Sequence, residues 1–416
     1  MSKMKKFGAS IFVLFLIATL TAGLFTGCSS TKSSTTTTTG ATKEATLTIG
    51  VDAPLTGPAA SYGLAVMHGV KLAAEDFNTA GGLTVGNTHY TIAVNTLDNK
   101  WDDPTSTDNV HQFIDNGVKY LFIFESDTPL SLAPLLAQNK VINFTSIADN
   151  SSISQPANSF TFRTVIPHDL VAGPYYQWIK TTYPNVKTVC EIAENNANGQ
   201  SAETGDGTGA QASGITVVGN LLYDPGTTNF TPFLTSVLAK HPDMINISGG
   251  VAPGDCALII KGARDAGFTG LISDSAMVAA KDMLPVSGAT ALEGVITTNM
   301  AMEAPMVSPQ AINLPAREVA EFGQSYGVTW DFYGQATVLC EAIAKAKSID
   351  STTVRDLLTD NTQVWPYPIL VGGTAVFGSS IAQQFYGANA NHQMLESYVF
   401  GVIRNGQDTN FKQINP

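Results

Sequence analysis

Thr48-Ile-Gly-Val-Asp-Ala-Pro-Leu-Thr-Gly-Pro-Ala-Ala-Ser-Tyr-Gly63, followed by Gly69-Val-Lys-Leu-Ala-Ala-Glu-Asp-Phe-Asn-Thr-Ala-Gly-Gly82, is where two hydrophobic periods meet. Residues 47–51 form a short apolar run, which predicts a buried strand. Val66, Val70, Ala74 and Phe77 then recur three to four positions apart and stop at Gly81-Gly82. Apolar spacing of that kind before a glycine pair predicts an amphipathic helix and its C-terminal stop.

The alternation continues outward. Strand-like stretches at 89–97, 118–124 and 141–145 are separated by helix-like stretches at 104–116 and 128–138. Thr128-Pro129 opens the second of these helices, the hydroxyl suiting an N-cap and the proline the first turn. Beyond Phe160 the rhythm resumes. Helices are expected at 168–183, from about 200, at 232–240 and at 255–266; strands at 188–193, 215–222, 244–248 and 271–273. Residues 295–298 read as a strand, 314–326 and 333–347 as helices, and 375–377 and 397–403 as short β runs. Two consecutive βα series predict an α/β fold of two doubly wound parallel-sheet lobes, covered by helices on both faces. Ligands in such sheets sit beyond the strand C-termini, and a cleft between lobes is a common small-molecule site.

The first 45 residues read differently. Lys3, Lys5 and Lys6 precede an apolar run from about 7 to 25, the layout of a secretory signal. It ends in Leu24-Phe25-Thr26-Gly27-Cys28, which resembles a bacterial lipobox with Phe25 where leucine is usual. Residues 1–27 are therefore expected to be a lipoprotein signal peptide and Cys28 the lipidated residue. An uncleaved membrane span and an unlipidated cleaved signal are the alternatives. Residues 28–45 are almost all Ser, Thr, Gly and Ala, too poor in apolar surface to pack, and are expected to be a tether.

The whole chain carries 22 basic and 34 acidic residues; removing the three leader lysines leaves 19 against 34, about −15. That balance argues against nucleic acid, which needs a concentrated basic surface. Besides Cys28 there are Cys190, Cys256 and Cys340, far apart and each in an apolar setting. They read as packing residues, with a Cys190–Cys256 bridge as the alternative, rather than as a disulfide framework or metal cluster. No H-E-x-x-H, Walker-type loop or G-x-S-x-G elbow occurs. Gly205-Asp206-Gly207-Thr208-Gly209 does not directly follow a strand, no histidines pair at metal spacing, and His68 reads as a surface or packing residue. No enzyme, metal or cofactor is expected.

The opening stretch resembles the branched-chain amino acid-binding proteins of ABC importers, a type I periplasmic binding protein family. Their first strand runs into a Ser/Thr-Gly-Pro loop and Tyr-Gly, and the next helix carries G-x-x-L-A-x-x-x-x-N-x-x-G-G, matched here by residues 69–82. Further similarities are Asp98 with Asp103-Pro104, Gly262-Ala-Arg-Asp-Ala-Gly267, Glu293-Gly294-Val295 and Gly401-Val-Ile-Arg-Asn-Gly406.

The resemblance implies two lobes joined by three crossovers, expected near Arg163, Thr297 and Gly373. Lobe 1 would combine 46–163 with 298–372, and lobe 2 would combine 164–297 with 373–416. It implies a monomeric trap on the outer face of the membrane, closing on an amino acid or related small polar or carboxylate solute and serving a permease. A sensory module of the same fold is the alternative. Carried over by position, Tyr62 covers the ligand, while Ser126, Asp127 and Thr128, with Ile147 and Asp149, form two carboxylate-binding loops. Asn198 and Val251 stand where the family has aromatic residues, and Ser275 where it has the acid that takes the ligand ammonium. Asp274 takes that role if the alignment shifts by one, or else Asp127 or Asp149 supplies a relocated cationic contact. Trp330, Phe332 and Tyr333 are candidate apolar cover.

Overall fold

A computed structural model describes residues 42–124, 127–145, 151–154, 158–165, 167–298, 307–369, 373–378, 392–395 and 398–414. Strand β1 (Lys43–Ala53) lies at the centre of the first sheet, and the helix Ala60–Thr79 follows it. β2 (Leu83–Val85) forms an antiparallel pair with β3 (Thr88–Asp98), while β3 runs parallel to β1 along its whole length. β4 (Tyr120–Ile123), β5 (Ile142–Thr145) and β6 (Thr161–Arg163) extend the sheet in parallel, giving the order β2-β3-β1-β4-β5-β6. Every residue of β4, β5 and β6 is buried, as a parallel sheet covered on both faces requires.

After β6 the chain enters the second lobe through the helix His168–Thr182. β7 (Thr188–Glu194), β8 (Thr216–Tyr223), β9 (Met244–Ile247), β10 (Leu271–Asp274) and β11 (Ile296–Thr297) are mutually parallel. The chain then returns to the first lobe, where the helix Thr329–Ala346 packs on Ala60–Thr79. That crossing is close: a Cβ on Gly69 would lie 2.5 Å from the Thr329 carbonyl oxygen, so the glycine of the first helix has a steric cause.

A small antiparallel sheet of β12 (Trp365–Pro366), β13 (Thr374–Phe377) and β14 (Met394–Leu395) follows. β15 (Tyr398–Arg404) and β16 (Gln407–Ile414) then join the second sheet antiparallel, in the order β16-β15-β11-β10-β9-β7-β8. Both sheets are thus mixed rather than purely parallel. Phe377 of β13 packs against Phe144 and Phe162, at 6.0 and 5.2 Å between ring centroids, so the chain is still with the first lobe past Gly373. It next joins the second sheet at Tyr398.

Features absent from the sequence reading include the helices Ala280–Leu292 and Ser351–Leu358 and the strand β16. The glycine-rich run 205–209 lies inside the helix Ala197–Ala212, where a Cβ on Gly209 would come within 2.5 Å of Ala172 Cβ. Gly205 and Gly209 let two helices approach, a packing role that needs no bound phosphate. Cys190, Cys256 and Cys340 are buried and unbridged. His68 is buried too, its ring stacked 4.0 Å from Phe322 and its Nδ1 2.8 Å from Glu318 Oε1. Among the described residues no helix is long and apolar enough to cross a membrane. Cys28, the signal and most of the tether lie outside the described residues.

Candidate functional site

The lobes meet at a small cleft of about 60 Å³, and clefts between lobes are where small-molecule sites are common. Among the described residues, the first lobe lines it with Tyr62, Phe124, Val328, Asp331 and Phe332. The second contributes His168, Asn198, Gly249, Gly250, Ser275, Ala276 and Met277, with Val165 at the first crossover.

Tyr62 is placed by its neighbour. A Cβ on Gly63 would fall 1.8 Å from the Pro54 carbonyl oxygen, so only glycine lets the loop after β1 fold tightly onto the start of the helix. The Tyr62 hydroxyl crosses the cleft and donates to the Ala276 carbonyl oxygen at 2.5 Å. Burial pushes the phenol well above its ordinary pKa, so it stays a neutral donor. Its ring lies 5.6 Å from that of Phe124, which in turn meets Phe332 edge-on at 5.4 Å.

Further hydrogen bonds span the lobes, those of Asp127 and Trp101 among them. Asp127 Oδ1 accepts from the Ala197 backbone N–H at 3.0 Å, so a carboxylate of one lobe meets the N-terminus of a helix in the other. Trp101 Nε1 donates to Glu194 Oε2 at 3.5 Å. Burial raises the Glu194 carboxyl to about 7 despite that hydrogen bond.

Beneath the second lobe's wall lies a buried polar network. His168 Nδ1 is 2.9 Å from Asp206 Oδ2, and Ser275 Oγ is 3.0 Å from the same oxygen. Asn246 Nδ2 bridges Asp206 and Glu191, at 3.0 and 2.7 Å. Burial, then the nearby Asp206 charge, holds the Glu191 carboxyl well above the usual range. Across the cleft, Asp331 Oδ1 accepts from the Tyr367 hydroxyl at 2.6 Å and Oδ2 from Gln335 Nε2 at 2.7 Å.

Of the residues singled out from the sequence, Tyr62, Asn198, Ser275 and Phe332 line the cleft. Asp274 does not: it is fully buried, and its oxygens accept from the Ala276 and Val278 N–H groups at 2.9 and 3.1 Å. It holds up the loop that carries Ser275, and burial raises its carboxyl to about 7. Val251 is buried just past the Gly249–Gly250 wall. The Thr128 hydroxyl donates to Asp103 Oδ1 at 2.6 Å, and Tyr333 donates to Asp76 Oδ2 at 2.6 Å; neither lines the cleft. Ser126, Ile147 and Asp149 lie outside the described residues.

Asp331, His168, Phe124 and Met277 were not found from the sequence. Asp331 sits inside the aromatic run Trp330-Asp331-Phe332-Tyr333, where its neighbours were read as apolar cover, and a lone acid in such a run has no sequence signature. Among the described residues no group of three His, Cys, Asp or Glu side chains is arranged for a metal.

Two βα lobes with a cleft at the strand C-termini and hydrogen bonds across it define a two-lobed solute trap. The chain belongs to the periplasmic binding protein family, whose model matches residues 46–407. Members of this family bind solutes for transporters and are not enzymes. The chain is 24% identical over 324 residues to the Leu/Ile/Val-binding protein BraC3 of Rhizobium johnstonii, covering 77% of this chain and 85% of that one. Its fold matches that of LivJ, the branched-chain amino acid transporter substrate-binding protein of Streptococcus pneumoniae, in complex with isoleucine. There the TM-score is 0.74 at 17% identity, over 89% of this chain and all of the other. It also matches an ABC transporter solute-binding protein of R. palustris in complex with 4-hydroxybenzoate, with TM-score 0.72 and 19% identity over 89% and 97% of the chains.

Proposed function

We propose that this chain is an extracytoplasmic solute-binding lipoprotein of an ABC importer, anchored through Cys28, that captures an amino acid or related small polar solute by hinge closure. It works as a monomer and hands the solute to a membrane permease. The observation that carries this reading is the cleft itself, with side chains of both lobes around one volume and Tyr62 bonded across it. A solute that touches both walls favours the closed state by the difference in its affinity for closed and open forms. The relatives' names, Leu/Ile/Val-binding protein among them, support the solute class. The basic leader, the lipobox-like residues and the Ser/Thr tether support the anchor.

Calorimetry of the full chain against amino acids and small polar solutes tests the reading. Saturable binding is expected, weakened at least ~10-fold by Tyr62→Ala, which removes both a cross-lobe hydrogen bond and a buried ring. A library without a binder, or a hit indifferent to Tyr62→Ala, counts against the site. Cys28→Ser is expected to release the chain from the membrane fraction; retention there would remove the lipid anchor from the reading.

A further inference from the structure

We propose that Met277 sets the size of solute that the cleft accepts: its side chain is an adjustable stop on the wall, swinging aside to admit a solute and limiting its length. This deepens the solute-trap reading above and rests on it.

The free space between the walls is about 60 Å³. A benzene-sized body fills a cavity of about 150 Å³, so a solute of even that size needs more room than the walls leave. Cross-lobe bonds, from Tyr62 to the Ala276 carbonyl and from the Ala197 N–H to Asp127 among them, hold the lobes in register. With these kept, the room must come from a side chain of the wall. All the described wall residues are buried except Gly250, Ala276 and Met277, which are half-buried. Of those three, only Met277 has a side chain longer than a methyl group. Methionine is unbranched and flexible, and it adapts to irregular space better than a branched or aromatic residue.

The backbone of Met277 does not share that freedom. It lies at φ 65°, in the left-handed region that residues with a Cβ rarely adopt. The amides on either side are pinned, Ala276 N–H to Asp274 Oδ1 at 2.9 Å and Val278 N–H to Asp274 Oδ2 at 3.1 Å. The Ala276 carbonyl is held from the first lobe by the Tyr62 hydroxyl. Backbone strain of this kind persists only where surrounding contacts enforce it, and it gathers at ligand-binding sites. A fixed backbone with a mobile side chain gives a stop of set position and adjustable reach. The first-lobe wall is its rigid counterpart: the rings of Tyr62, Phe124 and Phe332 pack in consecutive pairs 5.6 and 5.4 Å apart.

The test titrates the full chain with two homologous series: straight-chain L-α-amino acids from alanine to 2-aminooctanoate, and the amine-free acids from propanoate to octanoate. Within a series that binds, wild-type affinity is expected to peak at one chain length and to fall beyond it. Met277→Ala is expected to raise the affinity of longer members relative to the peak member by ~10-fold or more, since one methylene in an apolar pocket already discriminates ~10-fold. Met277→Gly, which suits the left-handed backbone, is expected to do the same, and it replaces the alanine variant if that one does not fold. These ratios compare solutes on one protein, so a loss of stability alone does not move them. An unchanged order of preference in the shortened variants overturns the assignment while leaving the solute trap in place. Where neither series binds, a hit from the wider library and its homologues one methylene shorter and longer take their place; no binder at all removes both.

Discussion

Asp274 stands one position from the cleft wall, yet its carboxylate turns inward to the Ala276 and Val278 amides. Sequence order alone does not separate it from Ser275, because strand β10 ends there and the side chains of adjacent residues diverge. Asp274→Ala leaves the buried Val278 amide without its acceptor, at about 1–3 kcal/mol, and the half-buried Ala276 amide at less. Urea unfolding is expected to register that loss, and solute affinity should fall with it, since Ser275, Ala276 and Met277 ride on the same loop. An unchanged midpoint would mean that the loop is held by other contacts. Tyr62 was legible where Asp274 was not, because the Gly63–Pro54 contact that positions it is local in sequence.

At the scale of elements, Gly207 and Gly209 separate two reasons for glycine in a helix. A Cβ at Gly207 meets nothing nearer than Asn220 Nδ2 at 3.7 Å, whereas at Gly209 it collides with Ala172 Cβ and the Ala172 carbonyl carbon at 2.5 and 2.6 Å. Gly207→Ala is therefore expected to stabilise the protein by about 1 kcal/mol through helix propensity. Gly209→Ala should destabilise it by about 1–3 kcal/mol by forcing apart the helices His168–Thr182 and Ala197–Ala212. Paired thermal melts distinguish them, and shifts of the same sign would contradict the packing argument. The helix Ala280–Leu292 escaped notice in the sequence because Pro285 and Gly288 interrupt it, Gly288 at φ 75°. β16 escaped because its polar residues pair with β15 and carry no strong apolar alternation. Strands β4, β7 and β9 were plain, since a strand buried on both faces must be continuously apolar or nearly so.

For the whole molecule, buried acids govern the response to pH. Burial raises Asp52, Asp255 and Asp282 to about 6, and Glu194 and Asp274 to about 7. In the unfolded chain these carboxyls titrate near 4. The folded state therefore holds more protons between those values, so their contribution is full below about pH 4 and is lost as pH rises through 6 to 7. His392, pushed down to about 4 by burial, works in the opposite direction: its contribution is present above about 6.5 and is lost as pH falls towards 4. Five carboxyls outweigh one imidazole between pH 5 and 7. The midpoint of thermal unfolding is expected to rise when the pH is lowered from 7.5 to 5.5, and a fall over that interval would refute the assignment of these burial effects.

Most of the order of strands and helices, the two-lobed class, the tight loop before the first helix and the acidic balance were decided by the sequence. Each rests on local spacing, on composition or on a motif confined to neighbouring residues. The walls of the cleft were decided only by tertiary structure. Asp331 and Tyr367 meet because a late helix returns to cover the first lobe. Asp127 reaches Ala197, and Tyr62 reaches Ala276, because two separately folded sheets face one another. Contacts between residues so far apart in the chain leave no periodicity behind, and the identity of the solute depends on them.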